Sequence, residues 1–199
     1  MMYFVIKENP GLHLKQHLCY FQLSQELSKF LENLDINQKR KTNNKQPANG
    51  IWPYGQGKIP HLPSFKEKFG FSGSIITAVD LLKGLGVLTG LNAPDIPGAT
   101  GFIDTNYDEK IKHAFKSLSK DPFCYIHIEA PDEAGHMGNP MLKKQAIEDF
   151  DTHVVSKVLD YTAKETDTVV MVLPDHPTPC HLQTHTNEPV PFIIYHNKI

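Results

Sequence analysis

Ala130-Pro131-Asp132-Glu133-Ala134-Gly135-His136 directly follows an apolar run from Phe123 to Ile128, and the rest of the chain is read outward from it. A second apolar run, Thr168 to Leu173, ends in Pro174-Asp175-His176, and Gln183-Thr184-His185-Thr186 precedes a third, Val190 to Tyr195. In all three places a carboxylate or an imidazole stands at the edge of a strand-like segment. Neutral imidazole and carboxylate are the donors that suit a dication of the zinc or manganese type. Three convergent patches supply enough ligands for two ions, so the residues point to a binuclear metal site of phosphoryl-transfer type.

The spacing inside each patch matters. Asp132 and His136 are four apart, which on a helical turn puts both on one face. Gly135 lets the backbone bend toward an ion. The adjacent pair Asp175 and His176 serves one ion only from an irregular backbone, which Pro174 and Pro177 supply. Taken singly, each pattern occurs often on surfaces. Jointly, Asp132, His136, Asp175, His176 and His185 form the expected ligand set. His181 is the substitute if one of them is misassigned. His127 points either toward the site or to a helix face, and Glu133 is either a group that orients a histidine or a solvated carboxylate. Lys58, after Gly-Gln-Gly, is the candidate for binding a phosphate, although no P-loop pattern surrounds it.

The segments around these patches alternate between strand and helix. Ser64 to Phe69 reads as a helix with Ser64 and Glu67 as a capping box, and Asn106 with Glu109 opens another that runs to about Leu118. Strands are expected at 74–78, 101–104, 123–129, 168–173 and 191–195, and helices from Val79 and over 141–161. The 141–161 helix carries Leu142, Ile147, Phe150, Val154 and Val158 on one stripe. Such alternation predicts an α/β fold with a mostly parallel sheet covered by helices on both faces. Ligands then gather beyond the carboxyl ends of the strands, where both metal loops fall. Upstream, Tyr3 to Ile6 is a strand candidate, Gln22 to Leu34 an amphipathic helix, and Asn37 to Asn49 a solvated helix or connector. The passage Ile51 to Pro63, rich in proline and glycine, marks a domain boundary, giving regions 1–50 and 51–199.

The chain has 199 residues, of which 40% are apolar, and a formal charge of −2. That composition is globular, and the charge gives no support to a nucleic-acid partner. No apolar run approaches the ~20 residues of a membrane span. The scattered Cys19, Cys124 and Cys180 favour a reducing compartment, and no signal-peptide pattern opens the chain, so a cytoplasmic location is expected.

At these residues the sequence resembles the cofactor-independent phosphoglycerate mutases of the archaeal type, within the alkaline phosphatase superfamily. The similar stretches are Trp52 to Lys58, Ile75 to Gly84, Glu129 to His136 and Leu173 to Pro191. Pro174-Asp175-His176-Pro177-Thr178-Pro179 is similar to a bacterial branch also called a proposed homoserine kinase. The resemblance implies an alkaline-phosphatase-like core and interconversion of 2- and 3-phosphoglycerate through a phosphoserine. It implies two divalent ions drawn from Mn, Zn, Mg or Co. One would be held by Asp132, His136 and His185, the other by Asp175 and His176 with an aspartate and a nucleophilic serine. Those last two residues belong to an opening segment of the family that has no counterpart here, and Ser24, Ser28, Ser64, Ser72 and Ser74 do not stand in its setting. The expectation is therefore a fragment, incomplete at the N-terminus. Residues 1–50 would be the remnant of an inserted lid domain, and the chain alone would hold one ion and be inactive. The competing expectations are a non-catalytic metal-binding remnant and a related phosphotransferase such as a homoserine kinase.

Overall fold

The computed structural model describes residues 10–50, 58–165 and 167–196, with side chains from residue 21 onward. The strand candidate Tyr3 to Ile6 and the stretch Trp52 to Gly57 lie outside the described residues. The chain divides into two compact units, 1–59 and 60–199.

In the first unit, helix α1 (Pro10–Glu32) is followed by α2 (Asp35–Thr42). The amphipathic segment read over Gln22 to Leu34 falls within the longer α1 up to Glu32, and its last two residues lie beyond the helix. The basic tract forms α2, with Lys39, Arg40 and Lys41 in its last turn, where cations offset the helix dipole. One buried amide ties the unit together. Asn37 donates to the carbonyls of Leu31 at 2.7 Å and Ala48 at 2.8 Å, and accepts from the Ala48 N–H at 2.9 Å.

The second unit begins with α3 (Phe65–Phe69), closed at its start by the Ser64–Glu67 capping box and at its end by Gly70 at φ +86°. Then come β1 (Ser74–Ile76), α4 (Asp80–Leu88), α5 (Tyr107–Leu118), β2 (Cys124–Ile126) and α6 (Ala130–His136). Next are α7 (Pro140–Phe150), a π turn over Asp151–Val155, α8 (Ser156–Thr162), β3 (Val169–Val172) and β4 (Ile193–His196). Asn106 caps α5 by accepting from the Glu109 N–H, as its spacing predicts.

The fold is α/β. Strands β1 and β2 run parallel, with Ile75 opposite Tyr125, and Asn92 adds a single parallel bridge beside Ser74. Helix α5 packs on both strands and α4 on β1. Strands β3 and β4 pair antiparallel, with Val170 opposite Tyr195. This second pairing departs from the mostly parallel sheet read from the sequence. No helix intervenes between residues 172 and 193, so nothing supplies the crossover that a parallel return normally uses. The strand expected at 101–104 is instead a turn. There Thr105 Oγ1 accepts from the Thr100 N–H at 3.0 Å and Thr100 Oγ1 bonds Asp104 at 2.6 Å, giving the backbone local partners in place of a ladder.

Two apolar clusters hold the unit. Ile76, Ile96 and Ala114 form one, with Ile126 against it. Tyr107, Ile111 and Val154 form the other, with Phe115, Ile128, Phe150 and Val158. Helices α7 and α8 are continuous through the π turn, in which the Ser156 N–H donates to the Asp151 carbonyl five residues back. The inward stripe is Ala146 and Val154, both buried, with Phe150 and Val158 partly buried. Ile147, placed on it by the sequence pattern, is half exposed.

Candidate metal centre

Helix α6 follows the carboxyl end of β2. The His127 N–H donates to the Ile76 carbonyl at 2.8 Å, so the parallel ladder continues one step past the strand before the chain turns. The N–H groups of Asp132 and Glu133 then donate to the Glu129 carbonyl, which starts the helical turn. Two glycines let the 173–186 loop lie against it. A Cβ on Gly135 would sit 2.5 Å from the Thr178 carbonyl, and one on Gly138 would sit 2.2 Å from Gln183 Nε2. Lys143 Nζ also donates to the Thr178 carbonyl at 2.7 Å, which fixes the loop to α7.

This docking brings the three patches together. His136 Nε2 lies 3.3 Å from Asp132 Oδ2, and His185 Nε2 lies 3.4 Å from Asp132 Oδ1. The two Nε2 atoms are 2.9 Å apart. The His176 ring is tilted 33° against that of His185 with centroids 3.7 Å apart, and one of its nitrogens lies within 4.8 Å of an Asp132 carboxylate oxygen and a His185 nitrogen. Asp175 is more exposed. It reaches His176 Nε2 at 3.3 Å and accepts from the His176 N–H at 2.9 Å. Lys58 is exposed in the first unit. His181 is exposed beside Glu188, and Glu133 stands with Glu129 and Asp132 in a group of carboxylates within 4.8 Å of one another.

Hydrogen bonds behind the cluster orient its nitrogens. His136 Nδ1 lies 3.0 Å from the Gln183 carbonyl. A carbonyl only accepts, so Nδ1 carries the proton and Nε2 presents a bare lone pair to Asp132 and His185. Thr178 is 3% exposed and works on both patches at once. Its hydroxyl donates to Asp132 Oδ1 and lies 3.4 Å from His176 Nδ1. With the hydroxyl proton committed to the carboxylate, His176 Nδ1 is the donor to Thr178, and its Nε2, 3.3 Å from Asp175, is left without a proton. Glu129 Oε2 is buried with no hydrogen-bond partner among the described residues. Burial first, and then the charges of Glu133, Asp132 and Asp175, raise this carboxyl above its ordinary range, with Lys110 opposing.

The donor set fits a dication. Imidazole nitrogens and carboxylate oxygens, the donors that a zinc- or manganese-type ion takes, converge within 4.8 Å of one another. Thr178 and the Gln183 carbonyl were not read from the sequence. The threonine had a signal, its place between two prolines just after Asp175-His176, but a backbone carbonyl has none.

The Metalloenzyme superfamily model matches residues 21–199. Over 166 residues the chain is 49% identical to a 2,3-bisphosphoglycerate-independent phosphoglycerate mutase of Methanosarcina acetivorans, covering 83% of this chain and 42% of that protein. It is 48% identical over 157 residues to a probable enzyme of the same name from Geobacter sulfurreducens, covering 79% of this chain and 39% of that one. The chain thus spans about two fifths of the length of these relatives. Among solved structures, a Pyrococcus horikoshii protein superposes with a TM-score of 0.79 at 30% identity, over 93% of this chain and 48% of its own. A cofactor-independent phosphoglycerate mutase from Thermoplasma acidophilum gives 0.54 at 28% identity, over 88% and 40%.

Proposed function

The chain belongs to the Metalloenzyme superfamily, and from that premise we propose that it carries the metal-binding part of a 2,3-bisphosphoglycerate-independent phosphoglycerate mutase. The supporting observation is the convergence of His136 Nε2, His185 Nε2 and the Asp132 carboxylate, with the Gln183 carbonyl holding the first of these in its ligating tautomer. Asp132, His136 and His185 would hold one divalent ion of the Mn, Zn, Mg or Co group, and Asp175 with His176 would hold a second. When bound, such ions neutralise and polarise a transferring phosphoryl group.

The substrate is a phosphoglycerate. A serine oxygen attacks phosphorus, the glycerate hydroxyl leaves with a proton, and the reverse step returns the phosphoryl group to the other hydroxyl. Among the described residues no serine hydroxyl joins the cluster. Ser64 caps α3, Ser72 bonds Asp121 at 2.6 Å, and Ser74 is buried in β1 beside Asn92. That observation favours a second reading in which the chain by itself binds metal without turnover. Lys58 is the proposed phosphate contact, and the thiols of Cys124 and Cys180, both free, agree with a cytoplasmic setting.

The test is a calorimetric titration of the 199-residue chain with Mn²⁺ and Zn²⁺, paired with an assay for conversion of 3- to 2-phosphoglycerate. Tight binding that His136→Ala abolishes is the expected result. Binding without turnover supports the second reading, turnover supports the first, and a chain that takes up neither ion overturns both.

A further inference from the structure

His127 stands on the last rung of the β1–β2 ladder, outside the ligand set, and its hydrogen bonding differs from that of His136. Thr77 is 1% exposed, so its hydroxyl proton needs a partner within the protein. The oxygen already accepts from the Val79 N–H at 3.0 Å, and the acceptor found near the hydroxyl is His127 Nδ1, at 3.3 Å. Nδ1 is therefore bare, and the ring proton sits on Nε2. That nitrogen has no hydrogen-bond partner among the described residues, and it is not among the atoms sealed from solvent without one. The ring stands near Tyr125 at a centroid distance of 6.3 Å and feels the charges of Asp175 and Asp132, one carboxylate from each half of the metal centre. Desolvation keeps its imidazole below the usual range, while those carboxylates oppose the effect and Lys110 adds to it.

A neutral imidazole with its proton on the free nitrogen cannot ligate a metal there. It can only donate. We propose that His127 binds substrate by donating its Nε2–H to a phosphoryl oxygen held at the metal centre. This deepens the phosphoryl-transfer reading above and rests on it. The two histidines thus divide the work by tautomer: His136 offers a lone pair to an ion, and His127 offers a proton to an anion. The protein sets each by the group behind the ring, a carbonyl in one case and a buried hydroxyl in the other.

Two measurements test this on the full chain. Nitrogen-15 NMR of histidine side chains, with or without metal, should show His127 protonated at Nε2 and His136 at Nδ1. In Thr77→Val, which removes the hydroxyl but keeps the shape, His127 should lose that fixed tautomer. Inorganic phosphate titrated into the Mn²⁺-loaded chain should bind about tenfold more weakly in His127→Phe, the loss expected for one hydrogen bond to a charged group. Manganese affinity should be unchanged, and His127→Gln, which keeps an N–H donor, should recover part of the loss. A proton on Nδ1 of His127, or phosphate affinity untouched by His127→Phe, would overturn the proposal. If the chain takes up no metal, the parent reading has failed, and the tautomer measurement still decides the inference about His127.

Discussion

A single hydroxyl joins the two halves of the proposed metal centre. Thr178 reaches Asp132 on α6 and His176 on the following loop, so Thr178→Val should weaken metal binding roughly 10- to 100-fold while leaving the far-ultraviolet circular dichroism unchanged. Lys110 makes a second prediction possible. It is 1% exposed, with its amine 3.4 Å from the Thr100 carbonyl and 3.5 Å from that of His127. Burial brings its pKa down to about 8, although Glu129 pulls the other way. The unfolded chain, with an ordinary lysine near ~10.4, binds more protons than the folded one above pH 8. Stability should therefore rise with pH from about 8 toward 10, with the full penalty present below 8. Urea denaturation at pH 7 and pH 9.5 should show that rise in the wild type and a smaller one in Lys110→Met. At this scale the sequence exposes side chains of the right chemistry, and it brings out Asp132 and His136 because helical spacing is local. It conceals Thr178, Lys110 and the Gln183 carbonyl, since their roles depend on segments that meet only after folding.

At the level of elements, local signals are the reliable ones. The Ser64–Glu67 and Asn106–Glu109 signatures place two helix starts correctly because a cap is satisfied within four residues. Ser64→Ala should cost about 1 kcal/mol in chemical denaturation. Strand partnership is different in kind. The apolar runs at 168–173 and 191–195 reveal that strands exist, but their antiparallel pairing is set by the loop between them and by tertiary contacts. Gly135 connects this scale to the site. Gly135→Ala would drive a methyl into the Thr178 carbonyl, displacing the loop that carries Asp175, His176 and His185. Metal affinity should fall by more than tenfold in calorimetry, with little change in helix content.

For the whole molecule, α/β class follows from the alternation of segment types, which composition and periodicity both carry. The proposed metal ligands all lie within the 60–199 unit, so a bound ion should stabilise that unit alone. At a hundredfold excess over the dissociation constant, binding contributes about 2.7 kcal/mol, equivalent to a rise of roughly 5–10 °C in its melting temperature. Differential scanning calorimetry with and without a chelator checks this, and His136→Ala should remove the rise.

The π turn at Asp151–Val155 carries one more implication. Core residues 146, 150, 154 and 158 recur every four positions, whereas a regular α-helix repeats every 3.6 and would let such a row wind away by about 40° per step. The wider turn takes up most of that lag and keeps Val158 over the same apolar cluster as Phe150. Excising one codon inside 151–153 should restore an ordinary helix whose core row recurs at intervals of four, three and four, so the segment after it should stay in phase and the unit should keep its helicity and most of its stability.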